Sequence, residues 1–274
     1  MSGAIVGGLL KAKYPANKIS ISEPNENRRK ELETLFSGVT ITDNNLKAAD
    51  NSETIVLGVK PNITKKVLTE NGLSDLLNEQ SSILVSLVAG VKVDSMKKWL
   101  TNYEKLKIVR CMPNTPALVG QGALGFYYEN EDQGLRNKVE SIMGSIAGEG
   151  GMVWVTRENL MDSITAISGS GPAYFFYMLE CMEKEGVRLG LEPLQARRLA
   201  TVTALGASKM VLNQCFDGEV DPKELRRRVT SPNGTTYAAI QQLIKDDFET
   251  VIKNTLNACS ERSKEIGIEM ENQN

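Results

Sequence analysis

The chain has 274 residues, enough for one large domain or two ordinary ones with ample core. An apolar fraction of 41% and a charged fraction of 24% are those of a soluble globular protein, and no apolar run approaches a membrane span. The net charge of −2 gives no electrostatic reason to expect nucleic acid or an anionic membrane as partner.

Residues 3–13 read as a helix that begins without a preceding strand. The segment carries no basic leader and no cleavage pattern, so a cytoplasmic protein is expected. Short strands follow at 18–22 and 39–41, separated by a polar helix over 26–36 with Leu32 and Leu35 on its buried side. A short helix over 44–49 leads to a β-branched strand at 53–59, stopped by Lys60-Pro61, and to a helix over 63–77. Residues 82–88 form an almost continuous apolar run of the kind buried in parallel sheets. A helix over 93–103, with Trp99 and Leu100 inward, precedes strands at 107–112 and 124–128, a helix over 135–146 and a last strand at 152–155. Strands alternating with helices in this way predict an α/β, doubly wound sheet with right-handed crossovers.

From Glu158 onward only helices are legible, at 158–166, 172–190, 193–213, 222–229, 235–245 and 247–266. The joint is Ile164–Tyr174, a small-residue loop feeding a helix at Pro172, with Ser168 or Ser170 as its cap. Asp221-Pro222-Lys223-Glu224 combines an N-cap, a first-turn proline and a capping-box glutamate, and Pro193 after Glu192 marks another helix entry. Leu199–Ala207 is apolar and small on most faces, so its helix is either central in a self-contained bundle or pressed against a second subunit. An intertwined homodimer is the expected arrangement.

Histidine is absent, which excludes Ser-His-Asp and Cys-His nucleophiles and most catalytic zinc sites; no metal is expected. Cys111, Cys181, Cys215 and Cys259 are scattered, and buried free thiols are expected rather than disulfides. In an open α/β sheet ligands collect at the carboxyl ends of strands. Gly58–Pro61, Val88–Gly90 and Met112–Pro116 occupy three such ends; each alone is an ordinary turn, and together they fit the rim of a dinucleotide crevice. Glu23 closes an early strand where an acidic residue accepts from the adenosine ribose, favouring NADH. Arg28 and Arg29, read first as solvated helix charges, are the groups that would answer a 2′-phosphate, so the nicotinamide stays open. Thr230–Thr236 clusters hydroxyls and an amide at a helix start, a place for a carboxylate or for an ordinary cap.

With these loops placed, the chain resembles the pyrroline-5-carboxylate reductases. V-K-P at 59–61, A-G-V at 89–91, M-P-N-T-P-A at 112–117, S-G-S-G-P-A-Y at 168–174 and S-P-N-G-T-T at 231–236 carry the likeness across nearly the whole chain. The resemblance implies a Rossmann-like dinucleotide-binding domain over 1–156 and a helical dimerisation and substrate domain over 157–274. It also implies NADPH or NADH as cofactor and reduction of 1-pyrroline-5-carboxylate to L-proline. Glu23, Pro24, Asn45, Val59, Lys60, Val88, Ala89 and Gly90 would hold the cofactor. Glu158, Ser231, Gly234, Thr235 and Thr236 would hold the substrate, with the Thr236 hydroxyl on the ring nitrogen. Assembly as a homodimer, and further into a decamer, is implied by the same likeness.

Two departures stand out. Asn233 replaces the first glycine of the family's S-P-G-G-T-T, at a backbone position that asparagine tolerates. The opening residues match only from the methionine of the family's G-x-G-N-M, so the first strand and its glycine loop are not matched; an N-terminally incomplete sequence is expected. A catalytically impaired member, or a related imine or β-hydroxyacid reductase, is the alternative reading. For a β-hydroxyacid dehydrogenase the nearest candidate lysine is Lys184, three turns into its helix.

Overall fold

In a computed structural model that describes residues 1–100, 103–216 and 220–272, the chain divides into two units. The first comprises Met1–Gly169 with Ser260–Asn274, and the second Ser170–Cys259. The division therefore falls inside the expected joint but later than residue 156, because α8 (Leu160–Ile164) stays with the sheet. The side chain of Ile164 packs where a β-carbon on Gly125 would lie.

The first unit opens with α1 (Ser2–Lys11), β1 (Ser20–Ser22), α2 (Glu26–Leu35), β2 (Thr40–Thr42), α3 (Asn45–Ala49) and β3 (Thr54–Leu57). It continues through α4 (Thr64–Thr69), α5 (Leu73–Glu79), β4 (Ile83–Ser86), α6 (Val93–Trp99) and β5 (Lys107–Met112). Next come β6 (Gly122–Tyr127), α7 (Gln133–Met143) and β7 (Ala147–Val155), then α8 and a π-helical turn over Thr165–Gly169. The strands form two sheets: β1 parallel to β2, and a five-stranded sheet in the order β3-β4-β5-β6-β7. All pairs are parallel except β5 with β6, whose connection is a short 3₁₀ turn over Thr115–Val119 in place of a crossover helix. Among the described residues, β1 and β3 are hydrogen-bonded on one edge each.

One apolar cluster gathers Ile5, Val6 and Leu9 of α1, Ile19 beside β1, and Val85, Val109, Phe126 and Val139 around the large sheet. The opposite face packs Leu68, Leu77, Leu84, Met96 and Ile108. The expected helix 63–77 is broken, since Asn71 and Gly72 adopt φ of 58° and 77°, which a helix does not admit. On α2 Leu32 is buried, whereas Leu35 is 62% exposed; the helix ends there, and Phe36 packs on the core instead. The expected helix 93–103 ends at Trp99; Leu100 is buried and Met96 lies deeper still, while 101–102 lie outside the described residues.

The second unit is helical throughout: α9 (Gly171–Arg188), α10 (Pro193–Cys215), α11 (Pro222–Arg228), α12 (Thr235–Lys245) and the first part of α13 (Phe248–Asn272). Ser170 occupies the N-cap position of α9, but neither expected serine caps it through its side chain. Ser168 Oγ donates to Ile164 O, and Ser170 Oγ accepts from Cys259. The capping box sits at Glu192–Gln195, and Asp221 caps α11 alone, because the Glu224 carboxylate turns to Arg227 and Arg228. Phe175, Phe176, Leu199, Val202 and Leu205 of the paired helices α9 and α10 are exposed in the single chain, so a self-contained bundle is not what these helices build. All four cysteines are free, yet only Cys111 is buried, and burial pushes its thiol well above the ordinary range.

Phe126 is fully buried and stacks on Trp154 with ring centroids 4.9 Å apart. Phe126→Ala will lower the unfolding free energy by about 3–5 kcal/mol, read as a lower urea midpoint at unchanged slope.

Candidate active site

β1 runs parallel to β2, and β3 runs parallel to β4 and β5, so within each sheet the carboxyl ends of these strands share one rim. α1 begins next to the turn after β3. A β-carbon on Gly58 would overlap the Ser2 hydroxyl, and no side chain caps the first-turn N–H groups of α1. Such an N-terminus, approached over a bare glycine, suits a pyrophosphate. Ser2 was not singled out from sequence; only its place next to Gly58 gives it meaning.

After β1, Glu23 Oε1 accepts from the Asn25 N–H at 2.9 Å. Arg29 is no solvated helix charge: its Nη1 donates to the carbonyls of Glu23 (2.9 Å) and Pro24 (2.8 Å) and pins that turn. Arg28 does behave as expected, pairing with Glu31 on the helix surface. Asn45, at the start of α3, accepts from Ser22 Oγ at 2.7 Å and so joins the ends of β1 and β2. Past β3, Val59 is half-buried and Lys60 is exposed, its carbonyl accepting from Thr64 Oγ1. Past β4, Val88 has its side chain in the core, which leaves only its backbone for a ligand; Ala89 is exposed, and Gly90 turns the chain with φ of 78°. The donor and acceptor set fits a dinucleotide, with glycines where backbone must come close, an acidic acceptor at Glu23 and an exposed cation at Lys60.

Glu158, expected at the substrate, accepts through Oε1 from the Val93 N–H (2.8 Å) and from Arg110 Nη1 (2.9 Å), with the Glu158 and Arg110 side chains only 19% and 12% exposed. The pair ties the start of α6 and β5 to the segment after β7. Arg110 escaped notice, although a lone arginine inside Lys107–Met112 is a legible signal for a buried partner. Asn114 was part of a quoted motif and now has a task. Buried, it donates from Nδ2 to Ser168 O (3.0 Å) and accepts at Oδ1 from the Ala123 N–H (2.9 Å), linking the loop after β5 to the π-helical turn.

In the second unit, Ser231 O accepts from the Gly234 N–H at 3.0 Å, closing a turn that carries Asn233 at φ of 58°. Asparagine thus occupies the left-handed position, as expected for this residue. A β-carbon on Gly234 would approach Ser231 O to 3.2 Å. α12 starts at Thr235 with no side-chain cap, and the hydroxyls of Ser231, Thr235 and Thr236 have no partner among the described residues. The ordinary-cap reading fails on that point. On α9, Tyr174 Oη is buried without a hydrogen-bond partner; burial, then the Cys259 thiol, pushes its pKa up to about 12.

Removing one member of a desolvated ion pair leaves the other uncompensated. Glu158→Ala will therefore destabilise the first unit by about 3 kcal/mol in urea denaturation, and Glu158→Gln, which keeps the acceptor for Val93, by clearly less. Arg227 and Arg228 hold Glu224 down at about 2. A depressed carboxylate contributes stability that is complete above its ordinary pKa and is lost as pH falls toward the folded value. The stability gap between wild type and Glu224→Gln will accordingly be constant at neutral pH and close between about pH 4.5 and 2.

The family model for pyrroline-5-carboxylate reductase dimerisation matches residues 158–266, and that for NADP oxidoreductase, coenzyme F420-dependent, matches 1–90. A curated pyrroline-5-carboxylate reductase of Pseudomonas aeruginosa is 39% identical, over 97% of this chain and 93% of its own length. The solved pyrroline-5-carboxylate reductase of Coxiella burnetii superimposes with a TM-score of 0.88 at 35% identity, covering 97% of this chain and 94% of that one. A Plasmodium falciparum pyrroline carboxylate reductase, solved with NADP bound, gives 0.77 at 28% identity, covering 97% and 94%. No helix of the described residues is long and apolar enough to cross a membrane. With a nucleotide-ready rim, an uncapped hydroxyl loop and relatives matched over nearly their whole length, the chain belongs to the pyrroline-5-carboxylate reductase family.

Proposed function

We propose that this chain reduces 1-pyrroline-5-carboxylate to L-proline, as an NAD(P)H-dependent oxidoreductase. The observation that carries the reading is the 231–236 loop, where three unpartnered hydroxyls meet an uncapped helix N-terminus in a chain of this family. Ser231 and the N–H groups of Gly234 and Thr235 take the substrate carboxylate, helped by the α12 dipole. The ring nitrogen arrives protonated, and its N–H donates to Thr236 Oγ1, which orients the imine carbon. Protonation before binding removes the need for a general base, in keeping with a chain that has no histidine. Bound NAD(P)H supplies the hydride that this carbon accepts. Lys60, Asn45, Glu23 and Pro24, with the backbone of Val59 and of Val88, Ala89 and Gly90, hold the dinucleotide along the rim. Glu158 contributes by fixing the start of α6, with Oε1 already committed to Val93 and Arg110. What the protein adds to the chemistry is alignment and a fixed set of donors.

The β-hydroxyacid alternative loses its lysine, since Lys184 is exposed and paired with Glu180. The exposed apolar residues of α9 and α10 support a homodimer as the working unit, with a decamer as its further assembly. Four free cysteines favour a reducing compartment, the cytoplasm.

Thr236→Val will lower kcat/KM for the imino acid by roughly 10²-fold while leaving the Kd for NADPH unchanged, and Thr236→Ser will keep most of the activity. Full activity of the valine variant refutes the role given to this hydroxyl. Wild-type rates on 1-piperideine-2-carboxylate or 3-hydroxyisobutyrate above those on the five-membered imine refute the substrate.

A further inference from the structure

The last helix passes directly over the turn after β4. A β-carbon on Gly90 would lie 2.9 Å from Ile266 Cγ2 and 3.5 Å from Gly267 N. A β-carbon on Gly267 would in turn lie 3.4 Å from Gly90 O. Two backbones, each bare at the crossing, are therefore in contact. A glycine well inside a helix costs about 1 kcal/mol against alanine, yet Gly267 is buried in a 25-residue helix at this crossing. Ser263 shares the face of Ile266 and Gly267 at helical spacing, and its hydroxyl donates to Asp162 Oδ1 of α8 at 2.7 Å. The other flank of the turn is fixed by the Val93 N–H on Glu158. Residues from Ser260 onward belong to the first unit, so all these contacts lie within it.

We infer that Ser263, Ile266 and Gly267 are positioning residues for the 88–90 turn, so that dinucleotide affinity is set in part by the last helix. The inference rests on the reading above that this turn holds the cofactor. None of the three residues need touch the dinucleotide. They act by holding the Gly90 carbonyl in place, and overpacking at 267 displaces it.

The test is fluorescence titration of the full-length protein with NADPH, alongside steady-state kinetics and melting temperature. Gly267→Val will raise the Kd for NADPH about tenfold and its KM in proportion, with the KM for the imino acid unchanged. Gly267→Ala, whose added carbon just fits, will bind as wild type does, as will Ile268→Ala on the exposed side of the helix. Should the valine variant not fold, Asp162→Ala will weaken NADPH binding and Asp162→Asn, which keeps an acceptor for Ser263, will restore it. Ala89→Arg separates this inference from the reading beneath it, because the side chain enters the crevice directly. If Ala89→Arg abolishes binding while Gly267→Val and Asp162→Ala leave it untouched, the last helix has no positioning role and the inference is overturned. If Ala89→Arg binds NADPH normally, the cofactor reading of the turn falls and takes the inference with it.

Discussion

A single carboxylate oxygen, Glu158 Oε1, receives both the Val93 N–H and the Arg110 guanidinium in a place nearly closed to water. Hydrogen bonds to an ionised acceptor are about twice as strong as neutral ones, and low exposure spares them from screening by salt. Three separate parts of the first unit meet at this point: a central strand, the start of a short helix, and the segment leaving the last strand. α6 is only two turns long and has no side-chain cap from its own Lys92, so its start depends on the distant glutamate. Without that anchor the loop between β4 and α6 would be held by Val88 and Val91 in the core and by the contact of Gly90 with the last helix.

Much of this was legible beforehand where residues act locally. Pro and Gly marked the loops correctly, Asp221 capped its helix, and Asn233 took the backbone angle its side chain tolerates. Misreadings arose where a distant partner decided the outcome. Periodicity over 63–77 concealed the break at Asn71-Gly72, because both halves bury leucines on the same core. The π-helical turn at Thr165–Gly169 holds Ser168 against Asn114, which keeps the joint with the sheet rather than with the helices. Arg29 had a bland local reading as a surface charge, the hydrogen bonds of Glu158 to Val93 and Arg110 had no local signal, and Gly267 lay just past the expected end of its helix. Their partners lie from five to well over a hundred residues away, where helical periodicity and capping patterns carry no information.

The two units divide the chemical work by the kind of group each supplies. The first offers backbone at close range, through Gly58 and Gly90, with Glu23, Asn45 and Lys60 as its polar side chains at the strand ends. The second offers hydroxyls and free helix N–H groups on a turn locked by Asn233 and Gly234. The chain has no histidine, so no imidazole serves either of them.

The separation of β1–β2 from the five-stranded sheet has a consequence for how the molecule breathes. Three-residue strands paired along one side have little ladder to lose, and what retains them is apolar contact through Ile19, Ile21 and α1. Amide protons of the 19–42 segment should thus exchange by partial openings of low free energy, while those of β4, enclosed by β3 and β5, await global unfolding. A dinucleotide that bridges Glu23 and Lys60 would gain most of its stabilising effect from closing that soft half, making ligand protection uneven across the molecule.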